Sequence, residues 1–177
     1  MDDSEAVTVR VADTRDVCLL AELGAATFRA AFEKDNTPED MAAYLAEHFT
    51  EAKLRQEIAD PLATFLIAER SGQPLGYAKL RAGAPDTCMT GPKPMELVRL
   101  YVLPESIGQG VGARLMQACL ATATGLGFET LWLGVWEHNH RARDFYRKWG
   151  FEAVGSHLFQ LGSDIQTDLI LQRALRV

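Results

Sequence analysis

"LPESIGQGVGARLMQAC" runs from Leu103 to Cys119 and sets Gly108, Gly110 and Gly112 at alternate positions. An apolar run precedes the glycines and a helical pattern follows them. Three glycines cost conformational entropy and bury no side chain. A strand that passes through glycines into a helix leaves backbone N–H groups free at the helix start, where the dipole favours negative charge. Glycine also lets that backbone approach a phosphate closely. Arg114 stands in the first helical turn. There it opposes the dipole, and it makes better sense beside a bound anion.

The pattern on either side predicts the elements. "MELVRLYVL" (95–103) reads as a strand, and "GVGARLMQACLATATG" (110–125) places apolar residues at 111, 115, 116, 119, 120 and 123, one helical face. A strand over 128–136, a short helix over 139–150 closed by Gly150, and paired strands over 151–162 and 165–175 follow. Upstream, 6–12 alternates like a strand, and 12–32 reads as a helix capped by Asp13 or Thr14. Helices over 36–49, with Thr37 as cap and Pro38 in the first turn, and over 50–60 come next. Residues 63–70 and 74–83 form a hairpin about Ser71–Gly72, and 84–94 is a Pro/Gly-rich loop. No repeat or linker interrupts the chain. The expectation is one α/β domain over 1–177, with N-terminal helices and a mixed sheet.

Composition narrows the function classes. The chain has 177 residues, 47% of them hydrophobic, and a net charge of −6, which argues against nonspecific binding to a nucleic-acid backbone and suits a cationic small molecule. No apolar run approaches the roughly 20 residues that span a bilayer, and the acidic start "MDDSE" does not resemble a signal peptide. Cys18, Cys88 and Cys119 are odd in number and widely spaced, so neither zinc nor a disulfide framework is expected. A reduced, cytoplasmic protein is the simplest expectation.

Three phosphate-binding motifs compete for the glycines. The P-loop fails because no Lys-Ser or Lys-Thr follows them. The dinucleotide fingerprint fits poorly, since the third glycine comes one residue early and a loop separates strand from glycines. The third is the Gly-x-Gly pair that opens the pyrophosphate-binding helix of the GNAT acetyltransferases, matched by "GVG" at 110–112. Downstream, "LWLGVWE", Asn139 and "FYRKWGF" follow in that family's order. The chain therefore resembles GNAT N-acetyltransferases over nearly its whole length. It is most similar to the bacterial PaiA-type spermidine/spermine group through "TFRAAFEKDNTPEDMAAYL", "WLGVWEHNHRARDFYRKWGF" and "GSHLFQLGSDIQTDLIL". One position departs: where the family has Gln or Arg ahead of its glycines, this chain has Ile107.

The resemblance implies a GNAT fold with splayed central strands and acetyl-CoA as co-substrate, with no metal. It implies that Leu100, Tyr101 and Val102 pair with the pantetheine arm. Gln109, Gly110, Val111, Gly112, Ala113 and Arg114 would meet the phosphates, Asn139 the pantetheine or the helix cap, and Lys148 a phosphate. Tyr146, which on spacing alone packs beside Phe145 and Trp149, becomes the acid for the leaving thiolate. Glu96, where the family often places an acid, is the first candidate base, and His157 the reserve. Phe28, Phe32, Glu33, Asp35 and Tyr44 set aromatic rings beside acids, which suits a polyamine through cation–π and charge contacts. A small-molecule amine is thus the expected partner, with nucleic acid and membrane excluded and a homodimer left open. Acetylation of another amine (amino sugar, amino acid or protein lysine) and a catalytically silent acyl-CoA sensor are the alternatives.

Overall fold

The computed structural model describes residues 6–175, so the acidic start at 1–5 lies outside the described residues. Strand β1 (Thr8–Val11) leads to three helices, α1 (Val17–Phe32), α2 (Pro38–His48) and α3 (Glu51–Ile58). The hairpin β2 (Ala63–Arg70) and β3 (Gln73–Ala82) follows, then β4 (Pro94–Val102) and α4 (Val111–Gly125). Strand β5 (Thr130–Trp136), α5 (His140–Lys148) and the hairpin β6 (Glu152–Leu161) and β7 (Asp164–Ala174) complete the chain.

Local chemistry sets the helix starts. Asp13 and Asp16 form a capping box on a 3-10 turn at Thr14–Asp16, so α1 begins only at Val17, later than the sequence pattern places it. Thr37 accepts a hydrogen bond from the Asp40 amide at the start of α2, and Thr50 does the same for the Lys53 amide in α3. On α4 the expected face is the buried one, through Val111, Leu115, Met116, Cys119 and Ala123.

The strands form one seven-stranded sheet in the order β1-β2-β3-β4-β5-β7-β6. All pairs are antiparallel except β4 with β5. Each face carries a core. One packs Ala78, Leu80, Met95, Leu97 and Leu131 against α4 and α5, and the other packs Phe65, Ile67 and Tyr77 against α1, α2 and α3. Among the described residues no helix is long and apolar enough to cross a membrane.

Two irregularities in β4 create the site. It pairs with β5 only through Pro94↔Thr130, Met95↔Leu131 and Glu96↔Trp132, and beyond that the strands part. Against β3 the register slips between Lys79↔Arg99 and Leu80↔Leu97, which leaves Val98 as an extra residue. The bulge reverses the alternation of side chains. Met95 and Leu97 face α4, as do Leu100 and Val102 beyond the bulge. Glu96, the cross-strand neighbour of Arg81, therefore shares the α1–α3 face with Arg99 and Tyr101.

Candidate active site

A cavity of about 700 Å³ fills the gap between β4 and β5 and opens on both faces of the sheet. Beyond Glu96 no described strand pairs with β4 on its β5 side, so the backbone groups on that edge remain available to a ligand. On the α4 side the cavity wall includes Leu100, Val102, Gly108, Gly110, Gly112 and Ala113, then Asn139, Arg141 and Tyr146 from the α5 region.

The glycine loop is shaped for close approach. Gly108 and Gly110 have φ of +82° and +81°, which L side chains rarely adopt, and a Cβ at either would meet nothing within 4 Å. That open space lies at the start of α4, whose N-cap Gly110 offers no side-chain cap. The first intrahelical backbone bond runs from the Arg114 amide to the Gly110 carbonyl, so the amides of Val111, Gly112 and Ala113 precede the hydrogen-bonded ladder. These free donors and the absent side chains fit a pyrophosphate.

The neighbouring polar residues are placed as follows. Gln109 accepts from Arg70 Nη1 at 3.0 Å and donates to the Glu105 carbonyl at 2.6 Å. Arg70, which sequence reasoning passed over, therefore stands beside the loop that Ile107 leaves apolar. Arg114 donates instead to the Val7 carbonyl and, like exposed Lys148, lies off the cavity wall. Asn139 caps α5, its Oδ1 accepting from the Ala142 amide at 3.2 Å. Tyr146 is 9% exposed, and burial raises its phenol pKa, so the group keeps its proton across the neutral range.

The α1–α3 side has a different character. Phe28 stacks on Tyr44 with centroids 4.5 Å apart, and Phe32, Phe49, Tyr101 and Phe159 complete an aromatic chamber. Glu33 and Asp35, expected among these rings, lie on an exposed 3-10 turn and do not line the cavity. The carboxylates that do are Glu96 and Asp168. Burial raises both pKa values, opposed at Glu96 by Lys79, Arg81 and His157 and at Asp168 by His157. Glu96 makes no side-chain hydrogen bond or ion pair with the described residues.

His157 sits between two carboxylates. Its Nδ1 is 2.8 Å from Asp86 Oδ2 and its Nε2 is 3.8 Å from Asp168 Oδ2. The hydrogen bond to His157, with others from Cys88, lowers the Asp86 carboxyl to about 2. Two glycines make room for the arrangement. A Cβ on Gly134 would stand 3.4 Å from Asp168 and 3.5 Å from His157, and one on Gly155 would stand 2.7 Å from Cys88. The loop 83–93 between β3 and β4 is thereby held against β6.

Comparison with known proteins fits this geometry. Residues 27–151 match the model of the "Acetyltransferase (GNAT) family". The chain belongs to the GNAT acetyltransferase family. It is 38% identical over 149 residues to the uncharacterized N-acetyltransferase in the pepI 3′ region of Lactobacillus delbrueckii subsp. lactis, covering 84% of this chain and 86% of that one. An uncharacterized N-acetyltransferase of Mycobacterium tuberculosis is 35% identical over 88% of this GNAT chain and 96% of its own. Among solved structures, the PaiA N-acetyltransferase of Thermoplasma acidophilum in complex with coenzyme A superposes with a TM-score of 0.78. That match covers 96% of this chain and 99% of the other at 21% identity, a likeness of fold. The split sheet, the glycine loop and the α4 N-terminus are therefore those of a GNAT N-acetyltransferase, a family that works with acetyl-CoA.

Proposed function

We propose that this GNAT enzyme moves the acetyl group of acetyl-CoA directly to a primary amine, with the two reactants entering from opposite faces of the sheet. The observation that carries the reading is the parting of β4 from β5 after Glu96↔Trp132, which joins the two halves of the cavity. Acetyl-CoA supplies the acetyl group as a thioester and departs as the thiol.

On the α4 side, the amides of residues 111–113 and the open glycines would hold the pyrophosphate, with Arg70 and Arg141 as nearby cations. The free edge of β4 around Leu100 to Val102 would pair with the pantetheine arm and present a backbone N–H to the thioester oxygen. Tyr146 would donate its proton to the departing sulfur.

On the other side, Glu96 receives the amine's proton, directly or through water. Among the described residues its carboxylate has no hydrogen-bond or ion-pair partner, and burial raises its pKa, both of which favour proton uptake. His157 is less suited, because Nε2, the ring nitrogen that Asp86 leaves free, faces the Asp168 carboxylate at 3.8 Å. Its place is to fix Asp168 beside the incoming ammonium group.

The polyamine reading keeps part of its support: aromatic rings and two carboxylates line the acceptor half. Its other support, Glu33 and Asp35, lies outside the cavity wall. Amine-dependent release of thiol from acetyl-CoA tests the transferase reading, and acetyl-CoA binding without release would point to the sensor.

A further inference from the structure

Arg99 is a cation on the acceptor half of the cavity, where a polyamine would be repelled. It lines the chamber with Phe28, Tyr44 and Tyr101, and its guanidinium stands 5.0 Å from the ring centre of Phe49. Nη1 and Nη2 donate to the two oxygens of Glu57 at 2.8 and 3.2 Å. The same Glu57 carboxylate also takes Lys79 Nζ at 2.9 Å. One carboxylate thus serves two cations, and the group carries an excess positive charge. A guanidinium has five N–H donors and stays protonated at any working pH. Glu57 occupies two of them, which leaves donors for an anion in the chamber.

The opposite charge stands at the other end. Glu96 and Asp168 line the wall near the gap, and the bulge at Val98 puts Glu96 and Arg99 on one face of the sheet. Their partners on β3, Arg81 and Lys79, are two residues apart, so the two backbones stand about 7 Å apart at strand rise and the side chains reach on from there. Resting on the proposed acetyl transfer to an amine, we propose that the acceptor is a small ω-amino carboxylate whose anionic end binds Arg99 while its terminal amine is presented at Glu96. An amine and carboxylate several bonds apart span that distance better than the adjacent groups of an α-amino acid reacting at its α-nitrogen. The transfer balances simply: the amine nitrogen bonds to the acetyl carbon, the carbon–sulfur bond breaks, Glu96 takes the amine proton and Tyr146 gives its proton to the sulfur, which leaves as thiol.

Matched acceptors differing only in the carboxylate supply the test. Thiol release from acetyl-CoA is measured with lysine against cadaverine, ornithine against putrescine, and spermidine. A kcat/KM at least about tenfold higher for the carboxylate-bearing member of a pair is expected, the scale of a bidentate charge-assisted contact. Arg99→Gln, which leaves Glu57 paired with Lys79, is expected to bring that ratio to about one chiefly by raising KM for the amino acid. Arg99→Lys is expected to restore part of it. Should Arg99→Gln fail to fold, the wild-type ratios still decide. Diamines or spermidine turned over as well as or better than the amino acids would overturn this inference and leave the acetyl transfer standing. No release with any amine would overturn both.

Discussion

His157 Nδ1 lies 2.8 Å from Asp86 Oδ2 across 71 residues of chain, tying the loop 83–93 to strand β6 beside the cavity. The Asp86 carboxyl, lowered to about 2, is anionic down to strongly acid pH. This tie therefore stabilises the fold above the ordinary carboxyl range and is lost as pH falls toward 2. Asp86→Asn removes the charge that orients the imidazole. Expected are a kcat/KM lower by about tenfold or more, retained acetyl-CoA affinity and reduced protection of loop amides in hydrogen exchange. Unchanged turnover would take His157 out of the site's positioning machinery.

Glu96→Gln separates proton transfer from structure. Burial raises the Glu96 pKa, so its charged form costs stability, increasingly so as pH rises through the folded value. The neutral variant is therefore expected to melt at the same or a higher temperature at pH 7. Its kcat/KM should fall by about 10²–10⁴-fold, and the acid limb of the pH profile should flatten. A full-strength variant with an unaltered acid limb would assign the base elsewhere.

Tyr146→Phe deletes a hydroxyl and keeps the ring that packs against Phe145 and Phe151. A kcat lower by about 10²-fold, with acetyl-CoA affinity retained, is expected where chemistry limits the rate. Because burial raises the phenol pKa, the wild-type profile should show no loss of this acid through neutral pH.

The glycines divide into two kinds. At Gly110, φ of +81° makes any side chain costly, about 1–2 kcal/mol, before acetyl-CoA is considered. At Gly112 a Cβ would make only ordinary contact, 3.6 Å from Phe145. Gly112→Ala should therefore melt at or above the wild-type temperature, since alanine favours helix, while calorimetry shows weaker acetyl-CoA binding. Unchanged affinity in the folded variant would remove Gly112 from the phosphate site.

The sequence made the α4 half of the cavity legible because its signals are local. The buried face of α4 repeats at helical spacing, and the glycines, Asn139 and Tyr146 lie within one continuous stretch. The acceptor half was harder to read because it is assembled over long separations. Strict alternation along β4 would put Glu96 and Arg99 on opposite faces, and only the bulge at Val98 unites them. Asp86 reads as part of a connecting loop until His157 is brought to it. Glu33 and Asp35 adjoin Phe32 in sequence, yet the 3-10 turn after α1 carries them to the surface.

Steady-state thiol release from acetyl-CoA, measured with and without a panel of primary amines, tests the central claim most directly. Release that depends on the amine, saturates with both reactants and yields an N-acetylated product is the result this account expects. Acetyl-CoA binding with no amine-dependent release, across the panel and across neutral pH, would contradict it and leave an acyl-CoA-binding protein that does not catalyse transfer.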